Sequence, residues 1–175
     1  IVNGLVGSEM CIRDSVTLGQ KLRIENYHSV RVGKIYHYHN PRDIGTAGHD
    51  DSFTWDRTVN PYGLDKKEEH KLVGLKKILD GGTLSWLEAN GPDEAQTDGI
   101  GATETMAFLD EFAKSGENFF LAFGLYRPHV PFVAPKAYFD MYNINDFSCK
   151  HLFGVLILLG LGAQEYSTSN CTWSL

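Results

Sequence analysis

The sequence predicts an α/β fold with a mostly parallel central sheet, because one pattern occurs twice: a helical stretch, a short turn, then an apolar strand. The first copy is Thr17 to Asn26 followed by HSVRVG, and the second is Thr97 to Ser115 followed by NFFLAFGL. The composition agrees. At 42% hydrophobic and 22% charged over 175 residues, the chain reads as a soluble globular protein with enough length for one sizeable core.

In the first copy, Leu18, Leu22 and Glu25 recur at helical spacing after a Ser/Thr start signal. Asn26 is suited to the left-handed conformation that closes a helix. Val30, Val32 and Ile35 then mark a short strand running into a polar loop. Residues 40–63, rich in Pro, Gly and Asp, are expected to be irregular. Residues 66–77 are expected to form a charged surface helix, with Leu72, Leu75 and Ile78 on one side and Gly81-Gly82 as its breaker. Asn90-Gly91-Pro92 is a turn signal. In the second copy, Ile100, Thr103, Ala107 and Phe108 recur at helical spacing, and Gly116 sits where a C-terminal cap belongs. The run from Asn118 to Leu125 is nearly all apolar, which predicts a central strand buried on both faces.

The two ends differ from the middle. Residues 1–15 show no helical or strand period and read as a non-native leader; 16–147 form the folded domain; 148–175 read as an anomalous, non-native tail. The apolar run from Leu152 to Ala163 is too short to span a bilayer, which takes about 20 residues. No secretory signal is visible. The formal net charge of −6 argues against nucleic acid and anionic membrane as partners, although a few local cations can dominate a cleft. Cys11, Cys149 and Cys171 have no metal-site or disulfide spacing. Nothing in the sequence sets an oligomeric state.

Ligand sites in open α/β sheets gather beyond the carboxyl ends of the strands. Two polar segments are expected there: Gly33-Lys34-Ile35-Tyr36-His37 and Arg127-Pro128-His129-Val130-Pro131-Phe132. Lys34 offers a fixed cation and His37 a group that titrates near neutrality. His129 stands between two prolines, and their fixed φ stiffens the loop that carries it. One lysine and two histidines at a crevice suit an oxyanion, with Lys as charge clamp and His as donor or general acid/base. From spacing alone, a structural histidine capping a strand end explains either imidazole equally well. If the strand continued, His37 and His39 would share a face as a metal-binding HxH, but no third ligand has matching spacing. Asp50-Asp51 reads as a solvated acidic turn rather than a metal site. Phe53, Trp55 and Tyr62 read as packing for their loop, Tyr138, Phe139 and Tyr142 as packing after the second segment, and Arg127 as facing solvent.

VGKIYH, HDDSFTW, the TDG before the second helix, and FFLAFGLYRPHVPFVAPKAYFDMY occur in an order that resembles the sulfatase family, nearest its iduronate-2-sulfatase-like branch. The resemblance covers residues 16–145. It implies an alkaline-phosphatase-like α/β sandwich, incomplete here, and hydrolysis of sulfate esters on sulfated carbohydrates or small molecules. It further implies a formylglycine nucleophile made from the Cys or Ser of a C/S-x-P-x-R motif, a calcium ion at the sulfate, and a periplasmic, extracellular or lysosomal location. Lys34 would then hold formylglycine and sulfate oxygens. His37 would take the proton that releases sulfate, and His129 would bind the ester oxygen.

The chain departs from that pattern. No cysteine or serine has the neighbours the nucleophile motif requires. Asp50-Asp51 follows Lys34, whereas the family's metal pair precedes it, so no residue here is assigned to calcium. The later metal ligands and second lysine have no match in the tail. The 175-residue chain by itself is therefore expected to be inactive. The alternatives are a phosphoesterase of the same superfold and a non-catalytic binding module that keeps the fold.

Overall fold

The computed structural model describes residues 15–37, 39–74, 85–143 and 146. The leader (save Ser15), the tail, the apolar run from Leu152, and Leu75, Ile78 and Gly81-Gly82 lie outside the described residues. The described residues fall into two compact units divided after Lys136.

The first helix, α1 (Leu18–Ile24), starts on a complete capping box: Thr17 Oγ1 accepts from Gln20 N, and Gln20 Oε1 accepts from Thr17 N. Asn26, at φ 61°, ends the stretch as expected. The chain then enters β1 (His28–Gly33). The strand period stops at Gly33, whose φ is +72°, so Ile35 falls outside the strand and is exposed.

β1 is the centre of a three-stranded parallel sheet in the order β2-β1-β5, where β2 is Arg57–Val59 and β5 is Phe119–Gly124. Between them runs α3 (Thr97–Ser115), capped by Gly116 at φ 71°. Val30 and Val32 project from one face of β1 into a cluster with Phe108 and Phe112 of α3, edged by Val59 and Leu121. Burying each such side chain is worth about 1.5–3 kcal/mol. Ser29 and Arg31 project from the other face and are also fully buried.

The sheet corrects expectations read from the sequence. β5 is an edge strand among the described residues, with Phe119 and Phe123 more than a third exposed; the strand buried on both faces is β1, despite its arginine. Of the residues noted at helical spacing in α3, Phe108 is buried while Thr103 and Ala107 are exposed; Thr97, Gly101 and Phe112 are the other buried positions. Gly101 lets the helix approach so closely that a Cβ there would sit 3.0 Å from the Phe123 ring. The irregular segment contains β2, whose three residues carry no apolar period and are held by pairing with β1.

The described part of the 66–77 segment, through Gly74, is not one helix. α2 (Leu64–Lys67) gives way to a 3₁₀ turn at Glu69–Lys71 and then to β3 (Val73–Gly74). Cross-strand pairing overrides helical propensity: β3 runs antiparallel to β4 (Ser85–Ala89), which runs parallel to β6 (Phe132–Pro135), making a second three-stranded sheet. The turn after β4 is anchored by Glu68, whose carboxylate accepts from Asn90 N and Nδ2. Those bonds, with Lys71, hold its pKa down at about 2. A last short helix is α4 (Lys136–Phe139). Tyr138 within it and Tyr142 beyond it, expected to pack this segment, are exposed. No described helix is long and apolar enough to cross a membrane.

Candidate active site

β1 and β5 are adjacent, parallel and in register through Gly33 and Gly124, and the Lys34 N–H donates to the Gly124 carbonyl at 2.9 Å. The GKIYH and RPHVP segments therefore leave the same sheet end side by side. Two glycines make that possible. A Cβ at Gly33 would lie 2.1 Å from the Gly124 oxygen, and one at Gly124 would lie 1.7 Å from the Lys34 oxygen.

Lys34 is half-buried and His37 is exposed, and neither side chain has a hydrogen bond or ion pair among the described residues. His129 is half-buried; its Nδ1 lies 2.8 Å from the Val130 carbonyl, which assigns that nitrogen as the donor and leaves Nε2 free for a ligand. The peptides Arg127–Pro128 and Val130–Pro131, on either side, are cis. No hydrogen bond or ring contact links Lys34, His37 and His129 to one another among the described residues. The condition for an HxH face is not met, because the strand ends at Gly33, before His37. The His39 ring instead meets His49 edge-on at 6.4 Å.

The face of β1 that carries Arg31 holds a network that the sequence did not reveal. Arg31 is 1% exposed, and its guanidinium donates to Asp50 Oδ2 (2.9 Å), the Gly33 carbonyl (2.6 Å) and Asn60 Oδ1 (2.9 Å). Trp55 Nε1 donates to the other Asp50 oxygen at 2.9 Å, and the indole stacks on Phe120. Asp51 accepts from Gln20, Phe53 N and Thr54. Asp50-Asp51 is thus a structural pair with buried partners and not a solvated turn. Phe53, by contrast, is exposed, as is Tyr62.

The His129 loop is tied from below. Asp98, in the first turn of α3, accepts the N–H groups of Tyr126 (2.8 Å) and Arg127 (3.0 Å). Burial pushes its pKa up, against the pull of these bonds. Arg127 does not face solvent: it pairs with buried Asp65 at 3.0 Å and donates to the Pro131 carbonyl at 3.0 Å. Asp65, Gln96, Asp98, Arg127 and Pro135 line a cavity of about 260 Å³. Two buried polar atoms on these residues, Gln96 Oε1 and Arg127 Nε, have no partner among the described residues. The one cue to Asp98 and Asp65 in the sequence was acidic residues beside a helix start.

Among the described residues no group of three or more His, Cys, Asp or Glu side chains could hold a metal ion. With Asp50 and Asp51 occupied by Arg31, Trp55, Gln20 and Thr54, these residues do not fit the calcium site that the resemblance implies.

No protein-family model matches the chain. A sulfatase of Formosa agariphila is 26% identical over 145 residues, covering 77% of this chain and 26% of the relative. The iduronate 2-sulfatases of mouse and human are 26% and 25% identical, each covering 75% of this chain and 24% of the relative. Parallel strands flanked by helices, with no closed barrel among the described residues, are consistent with part of an alkaline-phosphatase-like sulfatase domain. The matches support a segment of the sulfatase family that spans about a quarter of the length of these curated relatives.

Proposed function

We propose that this chain is part of a sulfuric ester hydrolase and contributes Lys34, His37 and His129 to its sulfate pocket. The observation that carries this is the in-register pairing of β1 with β5, from which the lysine segment and the Pro-flanked histidine emerge together. Lys34, without a carboxylate partner among the described residues, supplies a cation for the sulfate oxygens. His37, exposed at the same sheet end, moves the proton as the ester is cleaved. His129 presents Nε2, which in the charged imidazole donates to the ester oxygen and stabilises the leaving group. The names of the mammalian relatives favour a sulfated sugar as the ester, and the family likeness favours an exported or lysosomal setting. Formylglycine and calcium belong to the resemblance alone: the chain has no C/S-x-P-x-R motif and no fitting carboxylate set among the described residues.

In the full-length protein that carries this segment, sulfate release from 4-nitrophenyl sulfate should fall by about 10²-fold or more on Lys34→Ala and on His129→Ala. The matching phosphate ester should turn over slowly in every form. Unchanged turnover in the variants, or a preference for phosphate, would refute the proposal.

A further inference from the structure

We propose that Asp65 and Arg127 form a positioning pair that sets the place of His129; this rests on the reading of His129 as a sulfate ligand. The chain leaves the parallel sheet at Gly124 and joins the second sheet at Phe132, and the residues between form no regular element. Such a connection holds a side chain in one place only if its backbone is tied. The Arg127 fork does this, donating to the Pro131 carbonyl at 3.0 Å and, at a longer 3.4 Å, to the carbonyl of His129 itself. Its other arm is fixed by Asp65, which is 5% exposed and has no freedom of its own. The second Asp65 oxygen accepts both the N–H and the hydroxyl of Thr97, at 2.8 and 2.6 Å, at the N-terminus of α3. Asp98, one residue along that helix, holds the start of the loop through two backbone N–H groups. The position of His129 is thereby referred to a 19-residue helix packed on the central sheet. The fork spreads these contacts over two nitrogens held rigidly in one plane, one toward Asp65 and one toward the loop carbonyls; a lysine ammonium offers a single nitrogen on a flexible stem.

The test is Arg127→Lys, which keeps the charge and leaves the Asp65 cap on Thr97 intact, with Asp65→Asn as a second variant. Imidazole nitrogen NMR signals of His129 and His37 are recorded without anion, and affinity for inorganic sulfate is then measured. Both variants should shift or broaden the His129 signals, leave those of His37 in place, and weaken sulfate binding by about tenfold. His129 signals and affinity within twofold of the parent, in a variant whose backbone amide spectrum is otherwise native, would overturn the pairing. If sulfate moves no histidine signal in the parent chain, the sulfate reading fails instead, while the anion-free response of His129 still decides the positioning role.

Discussion

Replacing Asp50 by Ala is expected to destabilise the fold by about 3–5 kcal/mol, because it strands a buried charge. Arg31 is buried in the middle strand, and Asp50 is its only anionic partner among the described residues. The indole of Trp55 loses its acceptor at the same time. Urea unfolding followed by tryptophan fluorescence should show the midpoint fall. A double replacement, Arg31→Met with Asp50→Leu, should cost less than Asp50→Ala alone, since the apolar pair leaves no charge to solvate. A loss below about 1 kcal/mol for Asp50→Ala would mean that water reaches Arg31 and that β1 is not central.

Replacing Gly33 by Ala should cost about 2–5 kcal/mol, combining a left-handed backbone with a backbone clash. At φ +72°, the new Cβ would stand 2.1 Å from the Gly124 carbonyl oxygen, and no rotamer relieves a contact with a main-chain atom. The strands must part at the end from which Lys34 emerges, so the Lys34 amide should also lose protection from hydrogen exchange. Gly116→Ala is the matched control. Its φ is +71°, but nothing lies within 4 Å of the added carbon, so it should cost only about 1 kcal/mol. Equal losses in the two variants would contradict the close approach of β1 and β5.

Local signals were legible in the sequence where local chemistry decides the structure. Thr17 caps α1, Asn26 and Gly116 close the two main helices, and the Pro-flanked histidine stands on an irregular loop as expected. What the sequence hid depends on partners far along the chain. Arg31 stands between Val30 and Val32 in the predicted strand with nothing local to mark it as buried; it is buried because Asp50, 19 residues later, neutralises it. Apolar content misled in the opposite sense at β5, which is richer in aromatics than β1 but has one neighbour among the described residues. Helical period misled at Leu72, because the segment beyond α2 is claimed by pairing with β4. Within the candidate site, Lys34, His37 and His129 could be named from their segments. Asp65 and Asp98 could not, since their contacts with Arg127 cross 62 and 29 residues.

Assignment of these three residues to one anion pocket is tested most directly by titrating the purified chain with inorganic sulfate while following the side-chain NMR signals of Lys34, His37 and His129. The predicted result is a saturable shift of all three with one shared midpoint, lost in Lys34→Ala and not reproduced by chloride at equal ionic strength. Signals that stay in place, or that drift identically with chloride, would contradict a sulfate pocket at the end of β1 and β5.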